Sequence, residues 1–409
     1  MARTLLIDHI GELTTNDETV GEGIGGRIAD AAVVIEGDHI AWVGRASEAP
    51  AADERFDAEG RAVLPGWVDS HTHMVFAGDR TAEFEARMAG EAYAAGGINV
   101  TVNATRTASD EALASNLNRL VAEGARGGTT TFETKTGYGL TTDDEVRSAK
   151  IAGEQVDAVT FLGAHVVPTG MSEGDYLDLV TGPMLEAVAP FVSAVDVFCE
   201  TGAFEAEASA RVLEAAAAYG LATRVHGNQL GHGPGVQLAV QHGSLSVDHL
   251  GFLADADIAA LAGSWGTTGE RRGTVATVLP ACDLSTRMPF APARALLDAG
   301  AVVAIASNCN PGTSYTSSMG FCVATAVLQM GLTVQEAVRA ATLGGAIALG
   351  MHEDGWVDPR GNAQPSVGQV RVGARADLQL LDAPSVTHLA YRPGMPLTAA
   401  VWKAGERIA

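Results

Sequence analysis

The stretch AVLPGWVDSHTHMVFAG, residues 62–78, decides the predicted fold because an apolar run leads directly into a pair of histidines. A buried parallel strand typically has a nearly continuous apolar sequence, and this run ends at His71. His71 and His73 are two positions apart, so on an extended strand end their side chains point to the same side. Two neutral imidazoles placed in this way can bind one metal ion. The alternative is a pair of loop histidines that face solvent.

Seven further strand-like runs follow the first, and helical runs rich in alanine, leucine and glutamate separate them. Alternation of this kind is typical of βα units and a parallel sheet. Eight such units predict an α/β protein with a (β/α)8 TIM barrel, which we place at residues 64–366. Most runs end at a polar or ionisable side chain, where the catalytic groups of such barrels lie. The eight runs are residues 62–71, 129–135, 159–165, 194–201, 222–227, 244–249, 274–280 and 302–308.

Both ends of the chain have a different character from the middle. The sequence AAVVIEGDHIAWVG, residues 31–44, alternates apolar and polar residues around a Gly-Asp turn, which predicts a hairpin. Residues 367–384 and 398–408 are also rich in strand formers and glycine turns. We therefore predict that residues 1–63 and 367–409 form one small β-sandwich domain, with two separate β appendages as the alternative.

Composition limits the possible partners of the chain. Of 409 residues, 47% are apolar and 18% are charged, as in a globular protein, and the net charge of -23 would repel a nucleic acid. The expected partner is a small-molecule substrate, and an anionic one would need a local cation. No signal peptide and no membrane-spanning run is expected. A homodimer is the expected assembly. Four scattered cysteines predict reduced thiols in a cytoplasm, namely Cys199, Cys282, Cys309 and Cys322.

Histidines also stand at the ends of the fifth and sixth runs. His226 is a candidate third ligand, although a buried histidine with a backbone partner is the alternative. His249 could be a further ligand or could hold the bound water or the substrate. We favour the second role, since three protein ligands and a water complete a catalytic site. Three imidazoles and an oxygen suit zinc and also iron.

Two charged strand ends leave alternatives open. Lys135 lies at the end of its strand and could be mistaken for a carbamylated ligand that bridges two ions, but we expect one metal ion. Glu200 could support the metal site from outside it, or it could pair with Lys135.

Beyond the histidines, several motifs carry a resemblance that covers essentially the whole chain. The motifs are HTH at 71–73, GYG at 137–139, GAH at 163–165, HGNQ at 226–229, DH at 248–249 and NPG at 310–312. More specific are AGDRTAEFEAR at 77–87 and KTGYGL at 135–140. Together they resemble the imidazolonepropionases, the histidine-degradation members of the amidohydrolase superfamily. The runs at 226–235 and 309–312 are similar to the actinobacterial branch.

The resemblance implies a reaction and a role for each matching residue. A metal-activated water would hydrolyse 4-imidazolone-5-propanoate to N-formimidoyl-L-glutamate. Arg80 would pair with the substrate propionate, unless it pairs with Glu83 or Glu85 instead. Tyr138, unless it is a core tyrosine, and His165 would contact the substrate. The implied metal ligands are His71, His73, His226 and Asn308, and the implied residues around the rest of the substrate are Gln229, Asn310, Gly312 and Thr313.

Asn308 departs from the family pattern, because it stands where the resemblance implies an aspartate that binds the metal and moves a proton. An amide is a weak ligand and cannot act as a base. Gln229 likewise stands where many members have a glutamate. The substitution could be introduced, could be natural with His249 handling the proton, or could mark lost activity. The rival functions are another cyclic amidohydrolase or deaminase, and a metal-containing binding protein with impaired turnover.

Overall fold

The computed structural model describes residues 3–90, 97–266 and 273–409. Its strands are β1 (Thr4–Thr14), β2 (Arg27–Glu36), β3 (His39–Arg45), β4 (Glu54–Asp57), β5 (Ala62–Pro65), β6 (Trp67–Asp69), β7 (Thr129–Lys135), β8 (Ala158–Ala164), β9 (Ala194–Cys199), β10 (Ala222–Gly227), β11 (Ser246–His249), β12 (Val275–Val278), β13 (Val303–Ile305), β14 (Trp356–Val357), β15 (Ala363–Gln364), β16 (Leu378–Leu381), β17 (Thr398–Lys403) and β18 (Glu406–Arg407). Its α-helices are α1 (Thr81–Met88), α2 (Ile98–Thr107), α3 (Asp110–Arg126), α4 (Thr142–Gly153), α5 (Glu173–Leu179), α6 (Leu185–Val188), α7 (Ala206–Ala218), α8 (Gly235–Gln241), α9 (Asp255–Ser264), α10 (Pro280–Thr286), α11 (Ala293–Asp298), α12 (Met319–Gln329), α13 (Val334–Arg339), α14 (Gly345–Leu349) and α15 (His388–Tyr391).

The eight strands β6 to β13 form a parallel sheet in which each strand pairs with the next along the chain. The first and last strands meet just beyond their carboxyl ends, where Thr72 pairs with Cys309. Two backbone bonds support this closure: His73 N donates to Cys309 O at 2.9 Å, and Asn308 N donates to His71 O at 3.0 Å. The predicted (β/α)8 barrel is confirmed. The barrel closes between the histidine pair and the Asn308 segment.

Helix α3 shows how the sequence packs a helix against the barrel. The Ser109 hydroxyl accepts a hydrogen bond from Ala112 N and caps the helix start. Leu113, Leu117 and Leu120 are buried at helical spacing, so one face of the helix covers the sheet. Gly124 continues that face, where a Cβ would clash with the Phe132 ring of β7. Glycine at this position therefore lets the helix lie close to the strand.

Strands from both ends of the chain lie in a second, mixed sheet of eight strands. The predicted hairpin is β2 and β3, whose register pairs Glu36 with His39 around a Gly-Asp turn. A β domain built from both termini is confirmed as this sheet, while its division into a separate sandwich at the predicted bounds stays a prediction. The first strand-like run is in fact two strands: β5 pairs with β1 and β16, and β6 begins the barrel. The change of sheet falls at Gly66, where a Cβ would clash with Thr130.

Ion pairs around the buried Asp157 carboxylate join the terminal sheet to the barrel. Asp157, which precedes β8, lies 3.1 Å from Arg375 and 2.8 Å from Lys403 of β17. Arg375 also pairs with Asp377 at 2.6 Å. Burial alone would raise the pKa of Asp157, but Lys403 and Arg375 outweigh it and hold that pKa below its usual value. Among the residues described, no helix is both long and apolar enough to span a membrane.

Candidate metal centre

Three imidazoles from two barrel strands converge at the carboxyl ends of the strands. His71 Nε2 lies 3.2 Å from His73 Nε2, and His226 Nε2 lies 3.4 Å from the same His73 atom. All three side chains are buried. The structure therefore brings together the three histidines among the four residues that the sequence singled out as metal ligands.

Buried carboxylates fix the orientation of two of these rings. His71 Nδ1 lies 2.7 Å from Asp248 Oδ2, and His226 Nδ1 lies 3.0 Å from Asp196 Oδ1. Each of these rings carries its proton on Nδ1, which donates a hydrogen bond to the carboxylate. The lone pair of each ring is therefore on Nε2 and points toward the other rings. Carboxylates that hold ligating histidines in this way are a common feature of metal sites.

The geometry and charge of the three rings fit a metal ion. Burial and the nearby Lys135 ammonium hold the pKa of His71 well below its usual range, and burial and His71 do the same for His73. Neutral imidazoles are the form that binds metal. Tetrahedral ligands at about 2.0–2.1 Å from an ion stand about 3.3 Å apart, which matches the observed separations. A proton on His73 Nε2 could form a hydrogen bond with the lone pair of only one neighbouring Nε2. A metal ion could bind the Nε2 lone pairs of all three rings.

His249 and Asn308 complete the inner wall, and both have left-handed backbone conformations. His249 has a φ of 86°, and Asn308 has a φ of 53°. Ring nitrogens of His249, His71 and His226 lie within 4.8 Å of one another, so His249 is near enough to contact a bound water and also near enough to be a ligand. Asn308 is buried, and its Oδ1 has no hydrogen-bond partner among the described residues. This oxygen is free to bind an ion or a substrate.

A cleft opens over the centre, and ten of the twelve predicted site residues line it: His73, Arg80, Tyr138, His165, His226, Gln229, His249, Asn308, Asn310 and Thr313. No described Asp or Glu lines this cleft. His71 is buried behind it. Gly312 lies instead against the Arg80 guanidinium, where a Cβ would clash, and its carbonyl accepts from Arg87 at 3.1 Å. Gly312 thus lies behind the cleft, in contact with the lining residues Arg80 and Asn310.

Arg80 is buried beside the cleft, and its observed partner is Glu83. Its Nε and Nη2 donate to the two Glu83 carboxylate oxygens at 2.8 and 2.6 Å. This pairing was the alternative to anion binding, yet the guanidinium also lines the cleft. The pair with Glu83 holds the guanidinium in place, and anion binding by Arg80 stays a prediction.

Aromatic rings form the wall next to His73. The His165 ring stacks on His73 with centroids 5.7 Å apart, and Tyr138 lies 6.2 Å from His73. His165 Nδ1 bonds Gly137 O at 3.0 Å. Burial lowers the pKa of His165 to about 4, so this ring is neutral at physiological pH. Since a carbonyl oxygen only accepts, Nδ1 carries the ring proton, and Nε2 can accept one hydrogen bond from the cleft.

The loop after β13 is held by its own amide side chain. Asn310 Oδ1 accepts from Gly312 N and Thr313 N at 2.8 Å each. Its Nδ2 donates to Asn308 O at 2.6 Å. Asn310 therefore fixes the loop that carries Asn308.

The structure settles the open question about Lys135 and Glu200. Lys135 Nζ lies 2.9 Å from both Glu133 Oε1 and Asp196 Oδ2. Glu200 instead accepts backbone hydrogen bonds from Gln229 and from Leu230, the latter at 3.2 Å. Glu200 thus holds the loop that presents Gln229 to the cleft.

The buried charged side chains that support the histidines were not predicted from the sequence. Asp196, Asp248, Glu133 and Arg224 are all within the barrel and almost inaccessible to solvent. A signal was present, because side chains two apart on a strand share one face. Glu133 precedes Lys135 by two positions, and Arg224 precedes His226 by two.

Comparison with known proteins agrees with this geometry. The amidohydrolase family model matches residues 62–408. The imidazolonepropionase of Paenarthrobacter aurescens is 60% identical over 408 residues, covering 98% of each chain. The imidazolonepropionase of Saccharopolyspora erythraea is 62% identical over 403 residues, again covering 98% of each chain.

Solved structures share the fold at low sequence identity. An adenosine deaminase from Xanthomonas campestris with bound zinc has a TM-score of 0.71 and 21% identity, covering 98% of this chain and 92% of that one. A zinc-bound atrazine chlorohydrolase from Arthrobacter aurescens has a TM-score of 0.71 and 17% identity, covering 99% and 95%. The chain therefore belongs to the amidohydrolase family and, within it, to the imidazolonepropionases.

Proposed function

We propose that this chain hydrolyses 4-imidazolone-5-propanoate to N-formimidoyl-L-glutamate in histidine degradation, at the centre built on His71, His73 and His226. The observation that carries the proposal is the set of three Nε2 atoms 3.2 and 3.4 Å apart, two of them oriented by carboxylates on the far side of the ring. A metal ion there supplies an acidified water and a Lewis acid for the ring carbonyl. Zinc and iron are the candidates, because imidazole suits both.

Arg80 gives the pocket its preference for an acidic substrate. The chain has a net charge of -23, so an anionic substrate needs a local cation. The Arg80 guanidinium can form charge-assisted hydrogen bonds with the propionate, while Glu83 keeps it oriented. An uncharged nucleobase would gain nothing from this arginine, which argues against a nucleobase deaminase.

The remaining cleft residues position the ring and move protons. Tyr138 and His165 flank the heterocycle, and Gln229, Asn310 and Thr313 contact its other end. Asn308 can bind through Oδ1 but cannot accept a proton from water. We therefore assign proton transfer to His249, because its ring lies beside His71 and His226 and its Nδ1 has no hydrogen-bond partner among the described residues. The accepted proton passes to the ring nitrogen as the C–N bond opens.

A turnover assay combined with metal analysis tests the proposal. We expect His226→Ala to lose both bound metal and imidazolone consumption, while His232→Ala, in the exposed loop beyond the cleft, keeps both. Metal and substrate binding without any consumption would instead identify a binding protein. Hydrolysis of an uncharged cyclic amide in preference to the imidazolone would identify a different cyclic amidohydrolase. The cytoplasmic location and the homodimer remain predictions.

A further inference from the structure

A buried glutamate lies behind the wall that carries Tyr138 and His165. Glu145 belongs to helix α4, and its side chain is completely inaccessible to solvent. It does not line the cleft, so it is not one of the substrate contacts proposed above. Burying a carboxylate is unfavourable unless it is hydrogen-bonded. The groups that bond Glu145 therefore indicate its role.

Three backbone amides of one loop donate to the Glu145 carboxylate. Gly137 N donates to Oε2 at 2.8 Å, and Gly139 N and Leu140 N donate to Oε1 at 2.8 and 2.7 Å. These amides lie on both sides of Tyr138, so the carboxylate fixes the backbone before and after that residue. Leu140 has a φ of 55°, a left-handed conformation that is uncommon for a residue with a side chain. Its hydrogen bond to Glu145 supports that conformation.

The same loop also orients His165. Gly137 O accepts a hydrogen bond from His165 Nδ1 at 3.0 Å. A Cβ on Gly137 would lie 2.7 Å from Leu162 O and 3.1 Å from His165 Nδ1, so glycine allows the loop to lie against β8 and the imidazole. The ring centroids of Tyr138 and His165 are 5.5 Å apart. A shift of this loop would therefore move both side chains together.

We propose that Glu145 is a positioning residue that holds Tyr138 and His165 in place for the substrate. This inference rests on the proposed function, which assigns the substrate contacts of both rings. Glu145→Gln would keep one acceptor oxygen and turn an N–H group toward a backbone donor, so the loop would lose at least one hydrogen bond and move. The carboxylates that orient His71 and His226 belong to other strands, so metal binding should not depend on Glu145.

Steady-state kinetics of Glu145→Gln, with metal content measured on the same sample, test the inference. We expect KM for the imidazolone to rise about tenfold, as expected when a hydrogen bond to the substrate is weakened. The metal content should equal that of the wild-type protein. A merely structural role for Glu145 would lower the active fraction, and with it the apparent kcat, without changing KM.

Glu336→Gln is the matched control. Glu336 Oε2 also accepts from a backbone amide, Thr333 N at 2.8 Å, at the start of α13. Glu336 does not line the cleft, so this variant should leave KM unchanged.

Two further variants complete the test. Glu145→Asp serves if Glu145→Gln does not fold, because it keeps the charge but shortens the side chain, and it should also raise KM. In a Tyr138→Ala background, Glu145→Gln should raise KM by a smaller factor than in the wild-type background, because part of its effect passes through Tyr138. An unchanged KM in every folded Glu145 variant would overturn the inference, and so would equal factors in both backgrounds or failure of both variants to fold. Absence of imidazolone consumption by the wild-type protein would overturn the proposed function instead.

Discussion

Replacing Asn308 by aspartate should accelerate the proposed reaction. The substitution is nearly isosteric, and it places a carboxylate where a buried Oδ1 has no hydrogen-bond partner among the described residues. General-base assistance typically contributes about 10²–10⁴ in rate. Burial will reduce this gain, because it favours the protonated carboxyl group, which cannot act as a base. The nearby Asp69, which accepts a hydrogen bond from Ser307 N, shows this effect, since burial raises its pKa to about 7. We therefore expect turnover to rise by about 10- to 100-fold.

The assay for this prediction is spectrophotometric imidazolone consumption at saturating substrate, with metal content measured on the same sample. Metal should also bind more tightly, because a unit negative charge replaces a neutral amide beside the ion. Asn310→Asp is the control: its amide nitrogen donates to Asn308 O and Thr313 Oγ1, so the change should disturb the loop and lower activity. Unchanged turnover in fully metal-loaded Asn308→Asp would refute the role assigned to position 308.

Three further perturbations follow from the contacts of the centre. Asp196→Asn should weaken metal binding by about 10- to 100-fold, because it loosens the His226 ring; an unchanged dissociation constant in a chelator competition would contradict this. Arg80→Ala should raise KM for the imidazolone by at least about tenfold and affect an uncharged analogue much less, and equal effects on both substrates would remove the propionate assignment. The metal-free protein should lose stability as pH falls from about 6.5 to about 4. In this range His165 binds a proton in the unfolded chain, but it stays neutral in the folded protein because burial lowers its pKa to about 4. The unfolding free energy should drop by up to about 1.4 kcal/mol per pH unit for this histidine, and urea titrations in which His165→Gln keeps the full wild-type slope would contradict it.

The sequence predicted the architecture well because most of the strand-like runs in the barrel end at a polar or ionisable side chain. His71, His226 and His249 mark such ends, and the structure places all three around one point. The predicted first strand was too long, since the apolar run 62–71 continues through Gly66 without a break in hydrophobicity. Only the sheet pairing separates β5 from β6, and pairing depends on residues far away in sequence.

The supporting charges could not be assigned from sequence alone. Asp248 orients His71 across 177 positions of the chain, and Asp196 orients His226 across 30. Spacing within one strand indicates which side chains face inward, but it does not say which strand they meet. For the same reason the sequence could not decide whether Glu200 supports the metal site or pairs with Lys135.

The most direct test of the metal centre is anomalous scattering from a crystal of the protein loaded with one equivalent of zinc or iron, measured at the absorption edge of that metal. We expect one peak per chain, about 2 Å from Nε2 of His71, His73 and His226. A peak bound elsewhere, with these three rings turned away from one another, would contradict it.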